Sequence, residues 1–554
     1  MLNILLSHLG IQDLISVGIL VLCLSLAYFF PRLGDRVFIT IERAGTQLAR
    51  NRRATIIAVA LLVVTLRLCI LPFVPVPFPQ VHDEFSYLLE GDTLAHGRLT
   101  NPPHPMWLYF DTIHVNQHPT YMSKYPPGQG SVLALGEMLG HPWIGVLLSC
   151  AAMCAVMVWA LQGWLPPNWA LLGSLIFAFR VGLFSYWMNS YWGGAVAAMG
   201  GALVIGAFPR ILRYWRTRDA ILFGLGIAIL ANSRPFEGLI LCIPVTLGLS
   251  FVIRKRWKDV WRRALPQVII PLCVAAALCL AFMAYYNWRG TGSSLLMPYG
   301  LNDRNYLGLP AFVWQAPLSP LHHTSPQLDN FYNGWARTSW FEGRVNSIHT
   351  FGKAAVRDVL RLTFFFLWPE LCFIAPVMLL LCNGKFRFLL LQLAFCVVGF
   401  TLVSWFQPHY AAPLTCTLFA VIAQALRHLR RWNWRGRSVG IGLSRVIVLF
   451  VVILAPFHKP FPPKAPPLMN YREQFSKKLN ATSGEHLLIV RYSTEHDSLA
   501  EWVYNNADID HSKVIWAREI PGVDLGPLLS YFHSRRVWLV EPDLSPPRLT
   551  EMPK

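Results

Sequence analysis

Long apolar blocks recur along residues 1–456 and constrain the fold of this chain more than any other feature of its sequence. Each block runs for about 16 to 22 residues, the length that crosses the hydrocarbon core of a bilayer as a helix. The 554-residue chain is 54% hydrophobic and only 14% charged, whereas soluble domains carry about 25% charged residues. The sequence therefore predicts an α-helical membrane protein that crosses the bilayer several times.

The distribution of charge orients the predicted helices. The net charge of +19 arises outside residues 457–554, where twelve Lys and Arg residues balance twelve Asp and Glu residues. The excess collects in short segments between apolar blocks, which is typical of loops on the cytoplasmic side of a membrane. It therefore needs no nucleic-acid partner. The basic clusters lie at 32–53, 210–218, 254–263 and 427–437.

Placing these clusters inside predicts about twelve membrane-spanning helices, with both termini outside. The first helix lacks a basic segment and a small-residue cleavage site, so it is expected to be retained and not a signal peptide. Alternation then places a first loop at 73–140 and a second loop at 287–358 on the outer face. The helices are expected near residues 12–30, 54–72, 141–162, 168–184, 192–209, 219–232, 237–253, 265–286, 362–382, 388–406, 411–426 and 440–456.

The positions of the cysteines argue against both a disulfide framework and a cysteine metal site. All eleven cysteines fall within apolar blocks, and the two loops and residues 457–554 contain none. Because no metal-type C-x-x-C spacing occurs either, the sequence predicts neither a disulfide framework nor a cysteine metal site.

Residues 457–554, the tail, are predicted to form a small outer α/β domain separate from the transmembrane core at 1–456. Its first residues are proline-rich and are expected to be a stiff, extended linker. Beyond them, apolar patterns predict strands at 486–491, 514–517 and 537–540, with helices at 498–505 and 525–532. The linker prolines are Pro456, Pro460, Pro462, Pro463, Pro466 and Pro467.

An acidic pair, Asp83 and Glu84, lies in the first loop. Carboxylates near a membrane boundary are costly to desolvate and often mark functional sites. Adjacent residues of a helix point about 100° apart, so one carboxylate could act as a general base while the other holds a metal or orients a partner. The structural alternative is a helix at 84–95, which favours acidic residues in its first turn.

Lys124 opens a Lys-Tyr-Pro-Pro-Gly segment near the end of the same loop, and Tyr125 follows it. A lysine at the level of the outer headgroups can pair with a lipid phosphate. It can equally anchor the next helix by extending its ammonium group to the membrane surface.

Arg234 interrupts an apolar run that is too long for one helix, and Pro235 disfavours a helical conformation at Arg234. The chain is therefore expected to turn here at the outer surface, with Glu237 nearby. Arg234 and Glu237 could simply pair with each other. A phosphate-facing arginine is the functional reading, because unpaired charge at this depth is costly.

Other polar and aromatic residues are candidates for a substrate cavity, although each could be an interfacial anchor. The first loop also contains five histidines whose spacings match no zinc motif, so a divalent metal is possible but only weakly indicated. The cavity candidates are His82, Tyr125, Glu237, Tyr286, His409 and Tyr410, and the other histidines of the loop are His96, His104, His114 and His118.

Four short segments give the chain a family resemblance. They read Gly-Asp-Thr-Leu-Ala-His-Gly-Arg-Leu-Thr-Asn-Pro, Ser-Lys-Tyr-Pro-Pro-Gly-Gln-Gly, Asn-Ser-Arg-Pro-Phe-Glu-Gly and His-Tyr-Ala-Ala-Pro. With these segments in this order, the chain resembles GT-C membrane glycosyltransferases. The resemblance is to the branch that includes protein O-mannosyltransferases and the aminoarabinose transferase acting on lipid A. Within that branch it is most similar to a bacterial group. The likeness extends over most of the chain.

The resemblance implies a helical core with a long first outer loop, located in the bacterial inner membrane with its active site on the periplasmic side. It implies a polyprenyl-phosphate sugar donor, a glycan, lipid or protein acceptor, and transfer with inversion. Asp83 matches the catalytic base, with Glu84 as its neighbour, and Lys124 matches the lysine that contacts the donor phosphate. Arg234 is assigned to the phosphate by its chemistry and position. Because members of the family differ in metal dependence, the resemblance assigns no metal, and no cofactor is expected to be required.

Two other classes of protein remain open. A transporter or lipid flippase would place broken helices and ionisable groups at the membrane midplane, often in two related halves. The broken segment at Arg234 favours that class, but the sequence shows no internal symmetry. A scaffold protein would explain the tail but not the first loop.

Overall fold

The computed structural model describes residues 11–316, 319–345, 347–380, 384–457 and 468–552. These ranges are mostly helical, with two small sheets. Among them, six helices are long and apolar enough to cross a bilayer, or seven if a pair bent by 104° forms one span. The chain is therefore a multi-pass membrane protein. The six are Pro142–Leu161, Ala195–Tyr214, Pro235–Lys255, Trp257–Thr291, Pro408–Leu429 and Val439–Phe457, and the bent pair is Ile348–Phe366 with Glu370–Met378.

Each of the predicted spans overlaps a helix, but several of these helices are short. Thr217–Ala231 has 15 residues and extends about 22 Å, which is less than the hydrocarbon core of about 30 Å. The set of twelve crossings therefore stays a prediction. The other long helices are Ile11–Phe29, Asp35–Arg50, Arg52–Cys69, His82–Ala95, Gly128–Met138, Pro167–Phe177, Lys385–Phe400 and Leu468–Ala481, and the short ones include Trp107–Phe110, Pro298–Asn302, Pro326–Asp329 and Gly526–Tyr531.

A glycine sets how closely the segment Pro408–Leu414 approaches the helical bundle. Helix Ala195–Tyr214 packs against residues Pro408–Leu414, and a Cβ atom on Gly201 would lie only 2.0 Å from the carbonyl oxygen of Pro413. Because no larger residue fits at this contact, the glycine at position 201 allows His409 and Tyr410 of this segment to pack against the helices.

The first loop folds into two helices joined by a short hairpin. Helix His82–Ala95, which begins with the acidic pair, packs along helix Gly128–Met138. Between them, strands β1 (Val115–Asn116) and β2 (Met122–Ser123) pair in antiparallel orientation. The loop thereby returns the Lys-Tyr-Pro-Pro-Gly segment toward the start of its first helix.

The second loop packs over the first through aromatic side chains. Leu328, Phe331 and Tyr332 are buried together with Ile113 of the first loop in one apolar cluster. This contact covers the end of the first loop that carries the acidic pair.

The tail contains a four-stranded sheet in the order β4-β3-β5-β6. Strand β3 (His486–Val490) lies in the centre and pairs in parallel with β4 (Val514–Arg518) and β5 (Arg536–Glu541). Strand β6 (Arg548–Glu551) pairs antiparallel with β5. The three strands predicted from the sequence are present, and the second predicted helix occurs as Gly526–Tyr531.

Two parts of the tail differ from the sequence expectation. The helix predicted at 498–505 is wrong, because only Ser498–Ala500 form a helical turn. The chain then extends so that the carboxylate of Glu501 reaches Arg518 on β4, at 2.6 Å. Strand β6 was not predicted because its exposed, charged residues lack an apolar pattern.

The proline-rich linker is described only at its start, where Pro456 lies in the turn Ala455–Phe457. The other prolines fall outside the described residues, and these are Pro460, Pro462, Pro463, Pro466 and Pro467.

The tail packs directly on the first loop. Phe85, Tyr109 and Tyr121 of the loop share an apolar cluster with buried tail residues such as Trp502. The Arg518 guanidinium, buried with Glu501, donates to the carbonyl oxygen of Asp111 in the first loop and to Gln327 in the second, both at 3.3 Å. One buried cation thus joins the tail to both loops.

We expect Arg518→Met to lower the free energy of unfolding by about 3–5 kcal/mol, because Glu501 is left buried without its counter-ion. The measurement is the Tm of the detergent-solubilised protein. The double variant Arg518→Met/Glu501→Gln should recover part of the loss. The control is Arg491→Met, whose ion pair with Glu519 is half exposed and should contribute about 0–1 kcal/mol. Equal Tm shifts for Arg518→Met and Arg491→Met would contradict this account.

Candidate active site

A cavity of about 170 Å³ lies where the two loops meet one end of the helical bundle. Its wall combines one carboxylate, one ammonium group, two imidazoles and many aromatic rings. The lining residues are Val81, His82, Asp83, His114, Lys124, Tyr125, Trp192, Tyr299, Leu307, Phe331, Trp335, Trp405, Phe406, Gln407 and Tyr410.

Asp83 presents its carboxylate to this cavity from the first turn of helix His82–Ala95. The hydroxyl of Tyr125 donates a hydrogen bond to Oδ1. Nε2 of His82 lies 3.3 Å from Oδ2, and Nδ1 of His114 lies 3.8 Å from Oδ1. The side chain keeps 15% of its surface exposed, so a substrate in the cavity can reach it.

Glu84 has a different place. Its Oε2 accepts from the backbone N–H groups of Gln80 and Val81, at 2.7 and 3.2 Å, and its Oε1 accepts from that of Tyr191 at 2.9 Å. Burial raises the pKa of Glu84 to about 7, while these three donors oppose the shift. The sequence predicted Glu84 as a second catalytic residue, but its carboxylate does not line the cavity. In the structure, this carboxylate attaches the start of helix His82–Ala95 to the helical bundle.

Ser86 sets the spacing between three parts of the site. Its buried hydroxyl donates to the carbonyl oxygen of His114 at 2.6 Å and lies 2.8 Å from the hydroxyl of Ser123. The backbone N–H of Lys124 also donates to the carbonyl oxygen of His114, at 3.2 Å. The helix that carries Asp83 is thereby bonded to the segments that carry His114 and Lys124.

Lys124 extends its ammonium group into the cavity between two phenol rings. The Nζ atom lies 4.9 Å from the ring centre of Tyr299 and 5.4 Å from that of Tyr125. Burial lowers the pKa of Lys124, although Asp303 and Asp83 favour its charged form. Burial also raises the pKa of Asp303 to about 6. Nζ donates no hydrogen bond to any of the described residues, which leaves its N–H donors available for an anion.

Arg234 lies directly before helix Pro235–Lys255, at the turn that the sequence predicted. Its guanidinium carbon is 4.1 Å from the ring centre of Tyr410, which lines the cavity. No ion pair within 4.0 Å joins Arg234 to Glu237 in the part of the chain that the structure describes. Glu237 is buried and Arg234 is half-buried at the same helix end, and neither residue lines the cavity wall.

A glycine brings the two basic segments together. The backbone N–H of Gly128, which ends the Lys-Tyr-Pro-Pro-Gly segment, donates to the carbonyl oxygen of Asn232 at 2.7 Å. A Cβ atom on Gly128 would lie 2.6 Å from that oxygen. Only glycine therefore lets the Lys124 segment dock on the turn that carries Arg234.

Of the remaining cavity candidates, His82, Tyr125 and Tyr410 line the cavity and two others do not. His409 is buried behind the wall, where its Nδ1 lies 2.8 Å from the hydroxyl of Tyr186. Tyr286 donates its hydroxyl to Oε1 of Glu90 at 3.1 Å. Both residues support neighbouring elements instead of facing the cavity.

Sequence reasoning missed His114 and Tyr299, which line the cavity, and Asp303, which interacts electrostatically with Lys124. Tyr299 and Asp303 belong to the aromatic second loop, which has no motif to single them out. His114 was one of five histidines in the first loop, and it adopts a left-handed backbone conformation with φ of 64°. This rare conformation for a non-glycine residue is a tertiary feature, so the sequence could not distinguish His114 from the others.

The site also offers a possible metal-binding group. His82, Asp83 and His114 each present one ligand atom, and these atoms all lie within 4.8 Å of one another. Burial lowers the pKa of both histidines, so their neutral rings can donate lone pairs to a divalent ion. Nδ1 of His82 is buried and makes no hydrogen bond within the described residues. These residues therefore fit a divalent metal.

A second group of metal-ligand type lies near the C-terminal end of helix His82–Ala95, away from the residues that line the cavity. Asp92, His96 and Glu137 also bring one ligand atom each within 4.8 Å of the others. Nδ1 of His96 lies 2.9 Å from both the backbone carbonyl oxygen and Oδ1 of Asp92. This local pairing satisfies the histidine without an ion.

No family model matches the chain, and no curated protein gives a significant match. Solved structures do. The fold is similar to ArnT from Cupriavidus metallidurans bound to undecaprenyl phosphate, with 12% identity, a TM-score of 0.47, and coverage of 88% of this chain and 92% of that chain. It is also similar to the Archaeoglobus fulgidus oligosaccharyltransferase in complex with Zn and sulfate, with 12% identity, a TM-score of 0.42, and coverage of 88% and 67%.

A further structure, AglB from Archaeoglobus fulgidus with an inhibitory peptide and a dolichol-phosphate, matches at 11% identity and a TM-score of 0.37, covering 88% of this chain and 69% of that one.

We expect Gly128→Ala to lower the free energy of unfolding by about 1–3 kcal/mol, because the new methyl group overpacks the contact with Asn232. The matched control is Gly352→Ala, where a Cβ atom meets nothing within 4 Å. That change should be neutral or stabilise helix Ile348–Phe366 by up to about 1 kcal/mol. The two Tm values, compared with that of the parent protein, check the prediction, and a neutral Gly128→Ala would contradict the close approach.

Proposed function

We propose that this protein is a glycosyltransferase that moves a sugar from a polyprenyl-phosphate donor to an acceptor, with inversion at the anomeric carbon. The observation that carries the proposal is a single cavity in which the Asp83 carboxylate and the buried Lys124 ammonium group face the same space. A base for the acceptor and a cation for the leaving phosphate are the two groups that such a transfer needs.

The proposed location is the bacterial inner membrane, with twelve spans and with the cavity and tail on the periplasmic side. The positive-inside pattern supports this orientation. Two of the basic clusters meet at one end of the bundle, since Glu42 pairs with Arg430 at 2.7 Å and with Arg445 at 3.0 Å. The cavity lies among the loops that this pattern assigns to the opposite side.

The donor phosphate would bind between the two basic segments that Gly128 holds together. Lys124 offers three N–H donors with no hydrogen-bond partner among the described residues, and the phenols of Tyr299 and Tyr410 lie beside the two cations. Charge-assisted hydrogen bonds to a phosphate are stronger than neutral ones, and low local dielectric strengthens them further. The polyprenyl chain would lie along the exposed apolar helices.

In the proposed reaction the acceptor hydroxyl or amine attacks the anomeric carbon while Asp83 removes its proton. The bond between the anomeric carbon and the phosphate oxygen breaks, and the phosphate leaves with the bonding electrons. Lys124 and Arg234 offset its charge. The hydroxyl of Tyr125 and the ring of His82 hold the Asp83 carboxylate in place, which keeps the base oriented before the acceptor arrives.

A divalent metal is compatible with the site but is not required by this proposal. His82, Asp83 and His114 would hold it. When bound there, the ion would supply additional positive charge near the leaving phosphate.

A transporter or lipid flippase is the second candidate. The bent pair Ile348–Phe366 and Glu370–Met378 is the observation that favours it, since broken helices are typical of transporters. Arg180 and Glu370 also form an ion pair, 3.4 Å apart, buried inside the bundle. A flippase would move the lipid-linked sugar without breaking its bond to phosphate, so the product of the reaction separates the two functions.

We expect Asp83→Asn to lower the transfer rate by about 10²–10⁴-fold, because the amide cannot accept the acceptor proton. Transfer is measured with purified protein and a polyprenyl-phosphate sugar carrying a radiolabel. The matched control, Asp92→Asn, lies on the same helix away from the cavity, and its amide oxygen can still accept from the N–H of Ala507. Normal transfer by Asp83→Asn would disprove the base assignment.

Lys124→Met should raise the Kd for polyprenyl phosphate by about 10–100-fold, which corresponds to losing a hydrogen bond to a charged group of about 1.5–3 kcal/mol. Binding is measured by isothermal titration in detergent. Lys513→Met, a charge removed from the exposed surface of the tail, should leave the Kd unchanged. An unaltered Kd for Lys124→Met would show that the phosphate binds elsewhere.

A further inference from the structure

Tyr504 of the tail contacts two segments of the first loop that carry cavity-lining residues, Asp83 on one and His114 on the other. Its ring stacks on Phe85, with centroids 4.4 Å apart and an angle of 2° between the planes. Its hydroxyl donates to the carbonyl oxygen of Ile113 at 3.3 Å. Phe85 lies two residues after Asp83, and Ile113 directly precedes His114, so one tail side chain touches the neighbours of both.

The backbone of Tyr504 is itself held firmly. The guanidinium of Arg472, on the tail helix Leu468–Ala481, donates to the carbonyl oxygens of Trp502 and Tyr504 at 2.9 and 3.1 Å. The same guanidinium lies between two rings, 4.4 Å from the centre of Phe85 and 4.8 Å from that of Trp516. Tyr504 therefore cannot move independently of the tail.

A second connection fixes the tail against the loops from the side of β4. Arg518 donates to the backbone of Asp111, two residues before Ile113, and its charge is neutralised by Glu501. The segment Asp111–Ile113 is thus bonded to the tail at two points, through Arg518 and through Tyr504. The left-handed conformation of His114 follows directly after this doubly held stretch.

We propose that the tail is a positioning element of the active site, and that Tyr504 sets the distance between the Asp83 helix and the His114 segment. This inference rests on the proposed function insofar as it concerns sugar transfer. Tyr504 does not touch the cavity, so it acts through Phe85 and Ile113 and not on a substrate. Displacement of a reacting group by about 1 Å costs on the order of 10²-fold in rate, which gives the tail a role beyond stability.

The test compares three variants of the full-length protein. Tyr504→Leu removes both the stack on Phe85 and the bond to Ile113, while Tyr504→Phe removes only the bond. The control is Phe475→Leu, which removes an aromatic side chain that packs on Trp502 inside the tail. Each variant is assayed for transfer kinetics and, separately, for amide hydrogen exchange in peptides covering residues 82–90 and 111–116.

We expect Tyr504→Leu to lower kcat by about 10–100-fold, because the base Asp83 is displaced. The donor KM should stay unchanged within about twofold, because the Lys124 segment is held separately through the bond from Gly128 to Asn232. Exchange in both peptides should become faster. Tyr504→Phe should lower kcat by about 3-fold, the effect of one lost hydrogen bond, with faster exchange only at 111–116. Phe475→Leu should leave kcat and both peptides as in the parent protein.

Two outcomes would overturn the proposal. One is parent-like exchange and kcat in Tyr504→Leu or, if that variant does not fold, in Tyr504→Phe. The other is an equal loss of kcat in Phe475→Leu, which would mean that the tail contributes only stability. If the parent protein transfers no sugar, the proposed function fails, and the exchange data alone then decide whether the tail orders the two segments.

Discussion

Three backbone N–H groups that donate to the carboxylate of Glu84 determine how the rest of the site is arranged. They belong to Gln80, Val81 and Tyr191, so the bond network joins the entry of the first loop to the bundle. A buried carboxylate needs such donors, because desolvation without them is costly. With Glu84 fixed in this way, helical geometry turns its neighbour Asp83 by about 100° and into the cavity.

The cost of removing charged groups from water also explains why the cavity wall contains so few of them and why they are separated. Lys124 is nearly enclosed, with Asp303 as its electrostatic counterpart and aromatic rings on two sides. Its ammonium group has no hydrogen-bond acceptor among the described residues. The group is therefore poorly solvated, which favours the binding of an anionic ligand. Gly128 makes this position of Lys124 possible, because a larger residue at 128 would keep the Lys124 segment away from the turn that carries Arg234.

The cavity is assembled from segments that are far apart in the chain, and none of them could form it alone. The first loop contributes the carboxylate and the lysine, the second loop contributes aromatic walls, and the tail holds both through Arg518 and Tyr504. A separate outer domain on a linker would not have this effect. The close packing of the tail on the first loop therefore connects its fold to the geometry of the site.

The sequence by itself determined the helical membrane core, three of the four tail strands, and the choice of Asp83, Lys124 and Arg234 as residues of interest. These follow from local properties: the length of apolar blocks, alternating patterns, and charge near a membrane boundary. Only the tertiary structure decided that Asp83 and not Glu84 faces the cavity, that His114, Tyr299 and Asp303 belong to the site, and that residues 498–505 are not a helix. Each of these depends on contacts between residues distant in sequence, such as Glu84 with Tyr191 and Glu501 with Arg518, and local patterns carry no information about such contacts.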